Sequence, residues 1–519
     1  MQLTDAFYYL ENFRSMLETL MRRDGDLLLP EESNFIGNFY RLSKRPSALL
    51  VRLVMRKGPL FRARRLVYPE IGGLEEAVQP LIELRWVEAR PVMTVPDLFV
   101  LYSKAEVVHH LGLPRHRRRE PKSMLLASLL DGTPEPAQLE NWCETTDAVF
   151  RLDVGKLCER LRLMFFGNFH QDWSEFVLSD LGIFKYEKVC VQGESRPFPT
   201  RRHVDDFHRL YSCREMLHLG DDPARIEMVM PPRILDCDWL EERREKLRFR
   251  IARAYERAGE FERALAIYST CTHSDAQARA RRLGAPNSRA AISGAAVRRV
   301  AGAHAATFPA FELAIDNRAD APVECRVRDH LMSEAEEETA VHYVENGLIN
   351  SLFGLLCWPA VFAPVPGAFF HAFHHGPADL PTARFAERRK REFAQCLAEL
   401  ECEEYPRTIL QRFSEKQGIA SPFVSWGLID EPLLRCALQC FPAAHLRAWF
   451  EWMVRDLRAN RSGFPDLVQF WPGSRRYRLI EVKAPGDRLQ DNQRRCFEYL
   501  LSRQVPVSVC RVRWTESAA

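Results

Sequence analysis

At 519 residues the chain exceeds what one hydrophobic core organises, which points to about two to four domains. Hydrophobic residues make up 46% and charged residues 28%, a balance that excludes a disordered or fibrous protein. Lys and Arg number 73 against 70 for Asp and Glu, so any surface for a polyanion must arise from local clustering rather than net charge. The 14 cysteines form no Cys-x-x-Cys pair and no zinc-type array, and most are expected to be buried thiols in a reducing compartment. The N-terminus, MQLTDAFYYLENF, has no basic segment followed by an apolar core and is not expected to be a signal peptide.

In chain order, residues 1–95 read as an amphipathic helical region containing the basic stretch VRLVMRKGPLFRARRLVY. Residues 96–135 follow as SKAEVVHHLGLP, a basic run at Arg115, Arg117, Arg118 and Arg119, then KSMLLASLL: a short helix, an extended link and a second short helix. This order resembles a SAP-type DNA-binding motif, in which helix N-termini and basic side chains hold phosphates, and the competing reading is a solvated arginine loop. Residues 136–306 read as helix to about Thr272. In RIARAYERAGEFERALAIYSTC, Ala252, Tyr255, Gly259, Ala264 and Tyr268 occupy the packing positions of a tetratricopeptide-like helix pair. With one such repeat the expectation is a helical spacer, followed from Ser274 by an Ala-, Arg-, Gly- and Ser-rich linker. Residues 307–519 form the last domain. Its most apolar stretch, LINSLFGLLCWPAVFAPVPGAFF, is broken by Pro359, Pro364 and Pro366 and reads as a buried helix and loop rather than a membrane span.

The chemistry concentrates near the C-terminus. LRAWFEWMVRDLRAN reads as an amphipathic helix with Phe450, Met453, Val454 and Leu457 on its apolar face, and RSGF ends it. Pro465 and Asp466 then precede a strand LVQFW, a turn PGSRR and a strand YRLIEVK. Strand alternation puts Glu481 and Lys483 on one face with Val482 on the other, so two carboxylates and an ammonium converge. Hard oxygen ligands of this kind bind Mg²⁺ or Mn²⁺ for phosphodiester hydrolysis, and the lysine suits orientation of water or transition-state stabilisation. In DRLQDNQRRCFEYLLSR, Gln493 shares a helical face with Leu489, Cys496 and Leu500 and is expected to point at this site. Upstream, SEAEEETAVHYVENG reads as an acidic helix, with Glu337 chosen as a further metal ligand and Glu334 as its rival. His371, His374 and His375 read as a polar loop, and Cys436 with Cys440 as core packing.

Pro-Asp, 14 intervening residues and Glu-x-Lys resemble the core of PD-(D/E)XK nucleases. GFPDLVQFW, YRLIEVKAPGDRLQDNQ and the acidic stretch resemble that superfamily's VRR-NUC branch. With FYYLENFRSMLETL, FFGNFHQDWSEFVLSDLG and LFGLLCWPAVF, the order of parts resembles the Fanconi-associated nuclease family over almost the whole chain, without the animal members' ubiquitin-binding zinc finger. The resemblance implies a mainly α protein with a C-terminal α/β nuclease domain. It implies metal ligation by Asp466, Glu481 and the Val482 carbonyl, a catalytic Lys483, the helix glutamine at Gln493, and DNA-phosphate contacts from Arg458 and Arg461. It also implies branched DNA with a 5′ flap as partner, 5′-to-3′ exonuclease activity and a role in interstrand crosslink repair. Protein partners are not legible. The richness in Ala and Arg points to a GC-rich, bacterial genome and thus a cytoplasmic, nucleoid-associated enzyme; a eukaryotic member would be nuclear. The rival readings are a junction resolvase or restriction-like nuclease on the same core, and a DNA-binding scaffold with an inactive nuclease fold.

Overall fold

The computed structural model describes residues 5–130, 135–142, 147–191, 195–273, 275–284, 308–316, 321–335, 338–402 and 404–515. The chain divides into two compact units, Met1–Ile183 with Arg196–Val204, and Phe184–Ser195 with Asp205–Ala519.

In the first unit the helices Tyr8–Asp24, Pro30–Arg41, Lys44–Val54 and Leu74–Glu83 bury Phe13, Leu17, Phe35, Phe39 and Leu50, the apolar positions of their helical periods. The region is not helical throughout. Strands β1 (Leu60–Arg62), β2 (Val87–Ala89) and β3 (Val149–Leu152) form an antiparallel sheet in the order β1-β3-β2. β3 also corrects the expectation of continuous helix after residue 136, because three- and four-residue strands leave too little periodicity to read and are set by pairing across the chain. The SAP-like stretch folds as Lys104–His110 and Lys122–Leu130 around Val107, Val108 and Leu125. A capping box closes the first of these helices: the Glu106 amide donates to Ser103 Oγ at 3.3 Å and the Ser103 amide to Glu106 Oε2 at 2.8 Å. The link is a 3₁₀ turn, Arg115–Arg119, rather than extended chain.

The second unit begins with helices. Asp238–Ala258 and Phe261–Thr270 pack as a pair, burying Ala252, Tyr255, Ala264 and Tyr268. Gly259 ends the first at φ +81°, a left-handed conformation that lets the chain reverse within three residues. The stretch read as linker starts with a third helix, Ala276–Gly284, held by Arg279 and Arg282 on Glu256, both at 2.8 Å. Residues 285–307 lie outside the described residues.

The nuclease-like part is a five-stranded mixed sheet in the order β4-β8-β7-β6-β5, with β4 (Ala310–Asp316), β5 (Ala340–Tyr343), β6 (Leu467–Trp471), β7 (Arg476–Lys483) and β8 (Val507–Thr515). β4, β8 and β7 run parallel, and β6 and β5 add antiparallel. Alternation divides the residues between two layers. Val468, Phe470, Tyr477 and Leu479 pack on the larger helical core with Leu352, Phe353, Phe450, Cys496 and Phe497, whereas Leu467, Ile480 and Val482 pack with Val327 of the helix Val323–Ser333. The expected acidic helix is therefore corrected. Its AVHY segment is β5, paired with β6 at Val341↔Gln469, because an alternating β-branched and aromatic run completes the sheet edge. Among the described residues no helix is long and apolar enough to cross a membrane, and the stretch interrupted by prolines forms the buried helices Gly347–Leu356 and Trp358–Val361. His371 and His374 are also buried, with rings stacked 3.9 Å apart, rather than lying in a polar loop. None of the described cysteines is disulfide-bonded; Cys440 is buried as expected, Cys436 is half-buried, and Cys190 and Cys402 are exposed.

Candidate active site

Asp466 precedes β6 and Glu481 lies near the end of β7. The register Leu467↔Ile480 sets the two residues opposite one another on the face shared with Leu479. The Val482 amide donates to Asp466 Oδ2 at 2.8 Å, while the Val344 and Glu345 amides donate to the Asp466 carbonyl at 2.8 and 2.9 Å. Gly463 fixes the approach to Asp466. It sits at φ +95°, and a Cβ there would stand 2.9 Å from the Asn492 carbonyl, so only glycine lets this segment close on the start of helix Asp491–Ser502.

Glu481 is fully buried. Its Oε1 accepts from Gln493 Nε2 and lies 2.7 Å from Lys483 Nζ. Gln493 is oriented in turn by the Gln490 amide, which donates to its Oε1 at 2.9 Å. Among the described residues Glu481 Oε2 is buried without a hydrogen-bond partner, a state that costs on the order of 1–3 kcal/mol unless something binds it. Burial pushes the Glu481 carboxyl from 4.5 to about 7, helped by the Asp466 charge and opposed by Lys483. Burial likewise raises Asp466 from 3.8 to about 6, opposed by the Val482 amide and Lys483 and reinforced by Glu324 and Glu345.

These features fit a divalent cation. Among the described residues no three His, Cys, Asp or Glu side chains make a ready ligand cluster, but a Mg²⁺-type ion needs only one or two carboxylates and keeps water and substrate oxygens for its other positions. Asp466 and the unpartnered Glu481 Oε2 would hold it, and when bound it supplies polarisation of a phosphoryl oxygen and acidification of water. The raised carboxyls give a pH signature. Because both folded values lie above the ordinary ones, their protons favour the folded state below about pH 4, and this contribution is lost as pH rises through about 6 to 7. Metal competes for the same oxygens, so added Mg²⁺ should raise the melting temperature more at about pH 8 than at about pH 5.5. Equal shifts at both pH values, read by differential scanning fluorimetry, would remove these carboxyls from the metal site.

Other expected residues fall differently. Glu337 lies outside the described residues, and Glu334 is exposed at the end of helix Val323–Ser333. Two carboxylates missed in the sequence act on Asp466 instead: Glu324, in the first turn of that helix, and Glu345, just after β5. Glu345 sits at φ +40°, with its carboxylate accepting from Tyr343 Oη at 3.1 Å and Asn346 Nδ2 at 3.4 Å. An acidic residue two positions past the end of a strand is the signal that could have found it, and reading that strand as helix concealed it. Arg458 and Arg461 are exposed. Arg458 pairs with Glu242 at 3.2 Å and bears electrostatically on Lys246 and His273, and the Arg461 carbonyl accepts from Asn350 at 2.9 Å. In the first unit, Arg118 and Arg119 are exposed, but Arg117 is bound to Glu120 at 2.9 Å and to Ser128.

Residues 401–514 match the VRR-NUC domain family, and residues 7–88 match the family described as FAN1, HTH domain. With the carboxylate pair and lysine at the end of a mixed sheet, this match defines a DNA nuclease, an enzyme that hydrolyses phosphodiester bonds, in a domain class that is metal-dependent. The chain is 45% identical to a Fanconi-associated nuclease 1 homolog of Pseudomonas aeruginosa, covering 99% of this chain and 97% of that protein. It is 24% identical to the Fanconi-associated nuclease 1 homolog of Oryza sativa subsp. japonica, where 97% of this chain spans 62% of the longer plant protein. A crystal structure of paFAN1 bound to 5′ flap DNA with a gap, the flap 2 nt long, superposes with a TM-score of 0.91 at 43% identity, covering all of both chains. The chain belongs to the Fanconi-associated nuclease family.

Proposed function

We propose that the protein is a structure-specific DNA endonuclease that prefers 5′ flaps, has 5′-to-3′ exonuclease activity and acts in interstrand crosslink repair, using Mg²⁺ or Mn²⁺ in the cytoplasm. The observation that carries this reading is the Asp466–Glu481–Lys483 cluster with its unpartnered buried Glu481 oxygen. Similarity to structures of paFAN1 bound to 5′ flap DNA supports the choice of substrate. In this reading Asp466, Glu481 and the Val482 carbonyl hold the metal, and Lys483 stabilises charge on the scissile phosphate. Gln493 positions Glu481 and orients water. Glu337 remains a candidate further ligand and is joined by Glu345 and Glu324. Arg458 and Arg461 hold phosphate near the cut, Arg458 by exchanging Glu242 for DNA, and Arg117, Arg118 and Arg119 contribute to duplex binding, chiefly through the two exposed members. The domain roles follow the same order: residues 1–95 and 96–135 grip DNA, 136–306 orient it and 307–519 cut it.

The test compares initial rates of the full-length protein on a 5′ flap, a 3′ flap, an intact duplex and a four-way junction of one sequence. The 5′ flap should be cut fastest, by on the order of tenfold, about 1.4 kcal/mol of transition-state discrimination. Equal rates on both flaps would reject the polarity, and paired symmetric cuts on the junction alone would indicate a resolvase.

A further inference from the structure

Helix Asp238–Ala258 sorts its cations onto two faces. On one, Arg244 and Arg248 are held by Glu241 and Glu245 at 2.9 to 3.2 Å. On the other, Arg243, Lys246, Arg250, Arg253 and Arg257 recur at spacings of three and four, a row about 20 Å long at 1.5 Å per residue. Among the described residues none of these five is held in an ion pair. Like charges at such spacings repel and weaken the helix, so the row is costly unless a polyanion neutralises it.

The far part of this row lines a groove of about 600 Å³. Arg250, Arg253 and Arg257 face Arg214, Glu215 and His218 of helix Arg201–Leu219 across it. Glu215 is the carboxylate among its lining residues, and it is paired with Arg214 at 3.2 Å. Four arginines against one carboxylate give the groove an excess of positive charge. Arg214 also bears electrostatically on Arg243, and at the other end of the row Arg458, in the segment leading into Asp466, bears on Lys246. Two of the guanidiniums rest on rings outside the groove lining: Arg214 lies 4.7 Å from the Tyr211 ring centre, and Arg243 lies 5.4 Å from those of Phe207, which is buried, and Trp239. A groove lined by cations that recur along one helix matches the chemistry of a nucleic-acid strand, whose phosphates repeat along the row.

We propose that this groove binds the sugar-phosphate backbone of a single-stranded 5′ flap beyond its first nucleotides, leading the displaced strand away from Arg458 along helix Asp238–Ala258. This rests on the flap-nuclease reading. The test uses full-length Arg253→Gln/Arg257→Gln, with Arg257→Glu as a second variant and a thermal melt matched to the parent protein. Affinity is measured without divalent cation, across a salt series, for oligothymidylate of about 15 nucleotides and for duplexes bearing 5′ flaps of one or about 15 nucleotides. The double variant should bind oligothymidylate and the long flap about tenfold more weakly, with the log-log salt slope reduced by about 1.4, two contacts at about 0.7 each. The one-nucleotide flap should be bound and cut as by the parent. Equal losses on long and short flaps, or no loss on either, would overturn the groove assignment. Failure of the flap reading is separately visible, because the parent protein would then cut 5′ and 3′ flaps alike whatever the oligothymidylate titration gave.

Discussion

Asp466→Ala and Glu481→Ala are each expected to lower the cleavage rate about a thousandfold or more while leaving DNA affinity within about twofold. These residues supply the two carboxylates proposed to hold the metal, and among the described residues Glu481 Oε2 is buried without a hydrogen-bond partner. The side chains proposed to hold DNA, including Arg458 and the exposed Arg118 and Arg119, are not the proposed metal ligands, so binding and cutting should part company. Glu481→Gln sharpens the test. It preserves volume and removes a charge that burial disfavours, so the metal-free variant should be at least as stable as the parent protein near pH 8 and no longer be stabilised by Mg²⁺. Single-turnover cleavage, filter binding and a melting curve measure the three quantities. Cleavage retained in both alanine variants, with contaminating nuclease excluded, would sink the site.

Lys483→Met should cost about 10²- to 10³-fold in rate, the loss typical of removing one preorganised charge-stabilising group. Its second effect distinguishes this role from a structural one. Lys483 sits 2.7 Å from Glu481 and lowers the carboxyl pKa values of both Glu481 and Asp466. Without it both acids should titrate higher, so the pH at which metal binding is half-maximal should move upward, while saturating metal at high pH still binds. A variant inactive at every pH but with an unchanged metal-binding profile would confine the lysine to the reacting phosphate. Unchanged activity would remove it from the chemistry altogether.

How much of this was legible in the sequence depends on the range over which each feature is encoded. The β6–β7 hairpin, the shared face of Glu481 and Lys483 and the helical face that carries Gln493 follow from local geometry: a strand repeats every two residues, and a helix returns to one face after three or four. The buried helix Gly347–Leu356 and the pair around Gly259 were readable for the same reason. Glu345 and Glu324 were not, because their proximity to Asp466 depends on β5 pairing with β6 and on helix Val323–Ser333 packing beneath the sheet, contacts between segments far apart in the chain. The engagement of Arg117 by Glu120 and of Arg458 by Glu242 was likewise invisible, since spacing shows which cations exist and not which carboxylate each meets. By itself the sequence determined the class of chemistry and named Asp466, Glu481 and Lys483 as its candidate residues, through periodicity that the backbone imposes locally. The tertiary structure alone decided how deeply Glu481 is buried, which raises its carboxyl to about 7 and leaves one oxygen open, because desolvation is the work of every segment packed around a group rather than of its neighbours in the chain.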